Sequence, residues 1–111
     1  MTDDSGVEHN AGAAQASLQT LAGYLERALD RATSVVLTRP SADVCLVYLG
    51  DPSGLPEDLK QVGTMATSMA NAILESTNSG ANHMQIGDET YRFVRTFTQI
   101  GDEAAVVFSA D

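Results

Sequence analysis

The sequence predicts an α+β fold of two layers, a five-stranded antiparallel sheet with its elements in the order helix, strand, strand, helix, strand, strand, strand. Three observations carry this expectation. From His83 to Asp111, apolar-rich segments are joined by Gly87-Asp88 and Gly101-Asp102. Gly takes the first, φ > 0 position of a type II′ turn at no steric cost, so each pair reads as a hairpin connection and the whole as an antiparallel meander. Earlier in the chain, Leu18, Leu21, Ala22, Leu25 and Leu29 recur at helical spacing. Between these regions lie short β-branched and apolar runs bounded by turn residues, the pattern of strands.

Residues 1–13 are polar, small and acidic, which predicts a disordered tail ahead of a single domain over 14–111. The first helix is expected from Ala14 to about Arg31, with Gln19, Glu26, Arg27 and Asp30 on its wet side and Gly23 weakening it without breaking it. Thr33–Thr38 is β-branched, and Arg39-Pro40-Ser41-Ala42-Asp43 is a turn-rich link of hairpin length. Val44–Leu49 is apolar almost throughout, as in a strand covered on both faces. Gly50–Gly54 then breaks the chain. Pro56 suits the first helical position, and Glu57 and Asp58 complement a helix dipole, so a second helix is expected over 56–76. Leu59, Val62, Ala66, Met69 and Ile73 form its 3-4-3-4 seam, and Asn78-Ser79-Gly80 ends it. Three strands follow, over 83–86, 90–98 and 104–109.

Composition bounds the function. A chain of 111 residues supports one core, burying roughly 65% of its unfolded surface. Fifteen acidic against six basic residues, a formal charge of −9, oppose binding to nucleic acid or an anionic membrane. Cys45 is the one cysteine, so it makes no internal disulfide and is expected as a buried, inert thiol in a reducing cytoplasm. No apolar run approaches the ~18 residues of a membrane span, and the N-terminus lacks the basic-then-apolar plan of a signal peptide.

The order and lengths of these elements resemble the roadblock / dynein light chain family, particularly its small bacterial members. The likeness runs from about Ser17 to Ser109 and rests on the opening amphipathic helix, the strand pair 33–49, the Ala/Met-rich helix 56–76 and the meander ending Ala104-Ala105-Val106-Val107-Phe108. Here Pro40-Ser41-Ala42-Asp43 stands where family members often have an Asp-Gly-type turn, and no third helix follows the last strand, so the first helix is expected to cover the sheet. The resemblance implies a roadblock/profilin-like fold and a homodimer with sheets joined edge to edge and second helices paired across the axis. It also implies a non-catalytic adaptor or scaffold that binds and regulates a signalling protein, in bacteria often a Ras-like small GTPase. Met65, Ala66, Met69, Ala70 and Ala72 would supply close backbone approach and adaptable contacts at such an interface. The competing reading packs this surface on the chain's own sheet.

Searches for chemistry find little. There is no Walker loop, Gly-x-Gly-x-x-Gly, nucleophile elbow, His-Glu-x-x-His or Cys-x-x-Cys, and the lone lysine, Lys60, falls in the expected helix. No enzyme, cofactor or metal site is therefore expected. A metal would require His9, His83, Cys45 and carboxylates to converge, and a Cys45–His83 pair would lack an orienting group. Asp88-Glu89 and Asp102-Glu103 read as solvated turn carboxylates. Arg95 lies between Phe93 and Phe97 on one strand face, where it needs either an interface partner or a solvent-facing stem against the rings. Two other functions fit the same composition. One is an acidic secretion-type chaperone holding an effector segment, and the other is a small-molecule sensor built on a profilin- or PAS-like sheet.

Overall fold

The two glycine-led turns form as the sequence predicts. Gly87 and Gly101 have φ of +62 and +61°, and the aspartates after them stay at negative φ, the type II′ pattern. They join β4 (Gly80–Ile86), β5 (Glu89–Ile100) and β6 (Glu103–Ala110) into an antiparallel meander, in register from Ile86↔Glu89 to Gly80↔Arg95 and from Ile100↔Glu103 to Phe93↔Ala110. This is a computed structural model, and it describes the backbone of residues 2–110 apart from Pro40 and side chains from Gln15 onward apart from Pro40, Pro56 and Asp111. The first half of the chain holds α1 (Thr2–Asp30), β1 (Ser34–Thr38) and β2 (Val44–Gly50). The disordered tail expected over 1–13 falls outside the described side chains.

The sheet has six strands, not the five expected, and the element order differs accordingly. The segment expected as one helix over 56–76 is a single 3₁₀ turn (Pro56–Asp58), a strand β3 (Lys60–Ala66) and a shorter helix α2 (Thr67–Ser76). Gly63 and the β-branched Val62 and Thr64 disfavour helix there, whereas pairing with the free edge of β2 sets Met65 opposite Cys45 and buries both. The strand order is β3-β2-β1-β6-β5-β4, all antiparallel, so the two halves of the chain meet at β1 and β6. The α+β class holds.

Both helices lie on one face, packed on each other, with α1 also on β1, β4 and β6, and α2 on β2 and β3. Leu21, Ala22, Leu25 and Ala28 of α1 and Ala70 and Ile73 of α2 close over Val35, Val47, Phe93 and Phe108. Leu29, expected in the apolar seam, is instead exposed. The helix ends there in paired bonds from Ala32 N–H to the Leu29 carbonyl (3.1 Å) and from Thr33 N–H to the Ala28 carbonyl (2.9 Å), with Ala32 at φ +51°. This is a Schellman-type stop with Ala in the place that Gly favours.

The opposite sheet face carries no helix. Its centre, Val36, Ala105 and Val107, is buried beneath Tyr48, Ile100 and Leu59. Leu59 comes from the connection between β2 and β3, which folds back so closely that a Cβ on Gly50 would stand 2.6 Å from Leu59 Cδ2 and 3.1 Å from its Cα. Absence of a side chain at residue 50 is what lets the loop lie down on the sheet.

Candidate protein-interaction surface

Arg95 points to the helix-covered face, and its partner is neither a carboxylate nor solvent. Nη1 donates to the carbonyls of Leu74 (2.9 Å) and Thr77 (3.0 Å) and to Thr77 Oγ1 (2.9 Å), while Nη2 donates to Ser79 Oγ (3.2 Å). These carbonyls are the unpaired acceptors at the end of α2, where the helix dipole also favours a cation. The guanidinium carbon lies 5.6 Å from the centroid of the Phe97 ring, which is 62% exposed. Arg95 thus ties α2 to β5 and steadies an aromatic side chain at the surface.

Beside Phe97 opens a cavity of about 180 Å³ between α2 and the strands, walled by Leu37, Cys45, Ala70, Leu74, Phe97 and Val106. Arg39 and Asn71 also line it, and no acidic residue does so among the described residues.

The residues expected at a helix–helix interface do not share one helix face. Met65 and Ala66 lie in β3, the first buried and the second exposed. Within α2, Ala70 is buried in the core, Met69 packs against it partly buried, and Ala72 is half-buried. Ala70 lines the cavity beside Phe97 and Arg95 bonds the end of α2, whereas Met65 and Ala66 sit on the far edge of the sheet.

That far edge is β3, and the other is β4. β3 bears an exposed Lys60, and its pairing with β2 is interrupted by a register shift at Val47/Tyr48. Charge and bulges of this kind discourage pairing with another chain. β4 has neither. It runs Gly-Ala-Asn-His-Met-Gln-Ile without Pro, Lys, Arg, Asp or Glu, in unbroken register with β5. In a two-residue hairpin the pair flanking the turn, Ile86↔Glu89, exchanges both bonds, and alternation then leaves the N–H and C=O groups of Ala81, His83 and Gln85 facing outward. The side chains of these three residues are exposed on the uncovered face. Asn82, between them, is buried and holds the strand's start, accepting from Asn78 N–H (2.8 Å) and donating to the carbonyls of Asn78 (2.7 Å) and Gly80 (3.0 Å). Sequence reading missed this edge, because a strand free of charged gatekeepers signals an interface only once the strand is known to lie at the end of the sheet.

Cys45 in β2 and His83 in β4 lie on opposite faces of the sheet with three strands between them, so they form no thiol–imidazole pair. His9 lies outside the described side chains. No three His, Cys, Asp or Glu side chains among the described residues are placed to hold a metal ion, and no helix is long and apolar enough to cross a membrane. The turn carboxylates Asp88, Glu89, Asp102 and Glu103 are exposed.

One polar contact fastens α1 to the sheet. The Tyr91 hydroxyl donates to Glu26 Oε1 at 2.7 Å. The carboxylate acceptor, with burial and the nearby negative charge of Glu26 and Glu89, pushes the Tyr91 phenol up to about 12. A folded value above the unfolded one of about 10 means the contact's contribution is complete below pH 10 and is lost as pH rises toward 12. Chemical denaturation at stepped pH should therefore show stability falling across that window, and Tyr91→Phe should flatten the fall.

Comparison with protein-family models, with curated proteins and with solved structures yields no match.

Proposed function

We propose that this chain is a non-catalytic homodimeric adaptor, with two copies joined through their β4 edges into one continuous sheet. The observation that carries this reading is the contrast between the edges, β3 broken and charged, β4 regular and uncharged from end to end. A two-fold pairing centred on the strand sets His83 opposite the same residue of the second copy and Ala81 opposite Gln85, matching every outward N–H with a carbonyl. The helix packed over that edge is α1, so the second helices are not the elements that meet there. A cytoplasmic setting fits the single buried thiol. A signalling protein, with a Ras-like small GTPase the class that the resemblance adds, is the partner that such a dimer would hold.

Light scattering across a tenfold concentration range tests the dimer. At the dilute end of that range, at low micromolar concentration, wild-type protein should give twice the 11.7 kDa chain mass. At the same dilute concentration His83→Asp should give a folded monomer, because it sets two carboxylates directly opposite each other across the axis, whereas His83→Thr should stay dimeric. A wild-type monomer, or a dimer indifferent to His83→Asp, would overturn the β4 arrangement.

A further inference from the structure

Two surface features among the described residues complement each other. The first is the apolar cavity beside Phe97. Its volume of about 180 Å³ admits one aliphatic side chain, its walls are Leu37, Cys45, Ala70, Leu74, Phe97 and Val106, and its one lining charge is Arg39. The second is the loop between β2 and β3. Leu55, at its apex, is 60% exposed. It is held there by two small turns. Asp51 accepts from Ser53 N–H (2.9 Å) and Ser53 Oγ (2.6 Å) through Oδ1 and from Gly54 N–H (3.0 Å) through its carbonyl, while Asp58 N–H donates to the Leu55 carbonyl (2.9 Å). The loop's charges, Asp51, Glu57 and Asp58, are all negative.

We propose that Leu55 of one copy inserts into the Phe97 cavity of a second, with the loop's carboxylates against Arg39. Size and charge both match, and a loop already ordered by hydrogen bonds spends little entropy on docking. The placement also sets the geometry of the assembly. The antiparallel β1–β2 pair puts Gly50, where the loop departs, beside Ser34, and Cys45, at the cavity, near Thr38 at the pair's other end. The loop lies on the uncovered face through Leu59, whereas the cavity opens on the helix side. Knob and hole on opposite ends and opposite faces cannot satisfy each other around a two-fold axis. The contact is therefore head-to-tail and does not close, so it lengthens the assembly with concentration.

Sedimentation velocity of the purified chain from micromolar to millimolar concentration tests this. The wild-type mass should rise steadily past two protomers. Leu55→Asp, at an exposed loop position, and Arg39→Glu should each raise the concentration needed for growth by about tenfold or more. A wild-type mass that stays constant over the range, or growth undiminished by Leu55→Asp, would overturn the proposal. The β4 dimer is read separately: Leu55→Asp should leave a fixed dimer, and His83→Asp should leave a species that still grows, in steps of one protomer.

Discussion

Replacing Arg95 by Met is expected to lower the stability of the chain by about 3 kcal/mol, read as a fall of roughly 2 M in the urea midpoint for m of about 1.5 kcal/mol/M. Met keeps most of the stem's packing, so the loss isolates the guanidinium. Nη1 alone serves the Leu74 and Thr77 carbonyls and the Thr77 hydroxyl, which itself donates back to the Ile73 carbonyl at 2.9 Å. Without the cation the α2 terminus keeps acceptors in a half-buried place that water reaches poorly, and the favourable charge at the negative end of the dipole is gone. Lys reaches with one point charge where Arg offers a fork, so Arg95→Lys should recover less than half of the loss. Hydrogen exchange gives the spatial readout. Protection should fall first around Thr77–Gly80, the link from α2 into β4, which would make the dimer edge the first part of the sheet to loosen. If Arg95→Met unfolds at the wild-type midpoint, these bonds contribute nothing net.

The reach of the sequence follows the range of the interactions involved. The Gly87 and Gly101 turns were legible because a type II′ turn is decided by the backbone freedom of one residue. The stretch 60–66 was not. Leu59, Val62, Ala66, Met69 and Ile73 satisfy a helical period, but Leu59 crosses to the uncovered face and Val62 sits at a bulged pairing, both set by the free edge of β2. Local spacing cannot see that edge. The Leu29 error is of the opposite kind, since the period continues through residue 29 while the backbone stops the helix just there. Arg95 falls between the two. Its place on one strand face with Phe93 and Phe97 was readable, but neither its inward direction nor its partner was, because both depend on the end of α2 being packed against β5, a contact distant in sequence. The β4 edge needed the same non-local knowledge: Gly80–Ile86 has to be known as the last strand of the sheet before its lack of charge means anything.

The largest loss of stability is expected from Phe93→Ala, about 4 kcal/mol, against a total of roughly 5–15 kcal/mol for a domain of this kind. The Phe93 side chain is fully buried, opposite Asn82 on β4 and Ala110 on β6, and its ring meets that of Phe108 at 5.7 Å between centroids with a 60° tilt. Truncation therefore removes the transfer free energy of a ring, leaves a cavity in a face roofed by both helices, and breaks an aromatic pair worth about 1 kcal/mol beyond its area. Phe93→Leu refills most of that volume and should cost under half as much. The comparison separates packing from pairing, because Leu restores the first and not the second. It also bears on the proposed dimer, since β4 leans on this part of the core through Asn82 and Met84. A chain with Phe93→Leu should stay folded yet hold its β4 edge less firmly, and its dimer dissociation should shift to lower dilution than in wild-type protein. Should Phe93→Ala cost under about 1 kcal/mol with an unchanged m value, the helix layer does not seat on β5 as described, and the register that presents the β4 edge would fall with it.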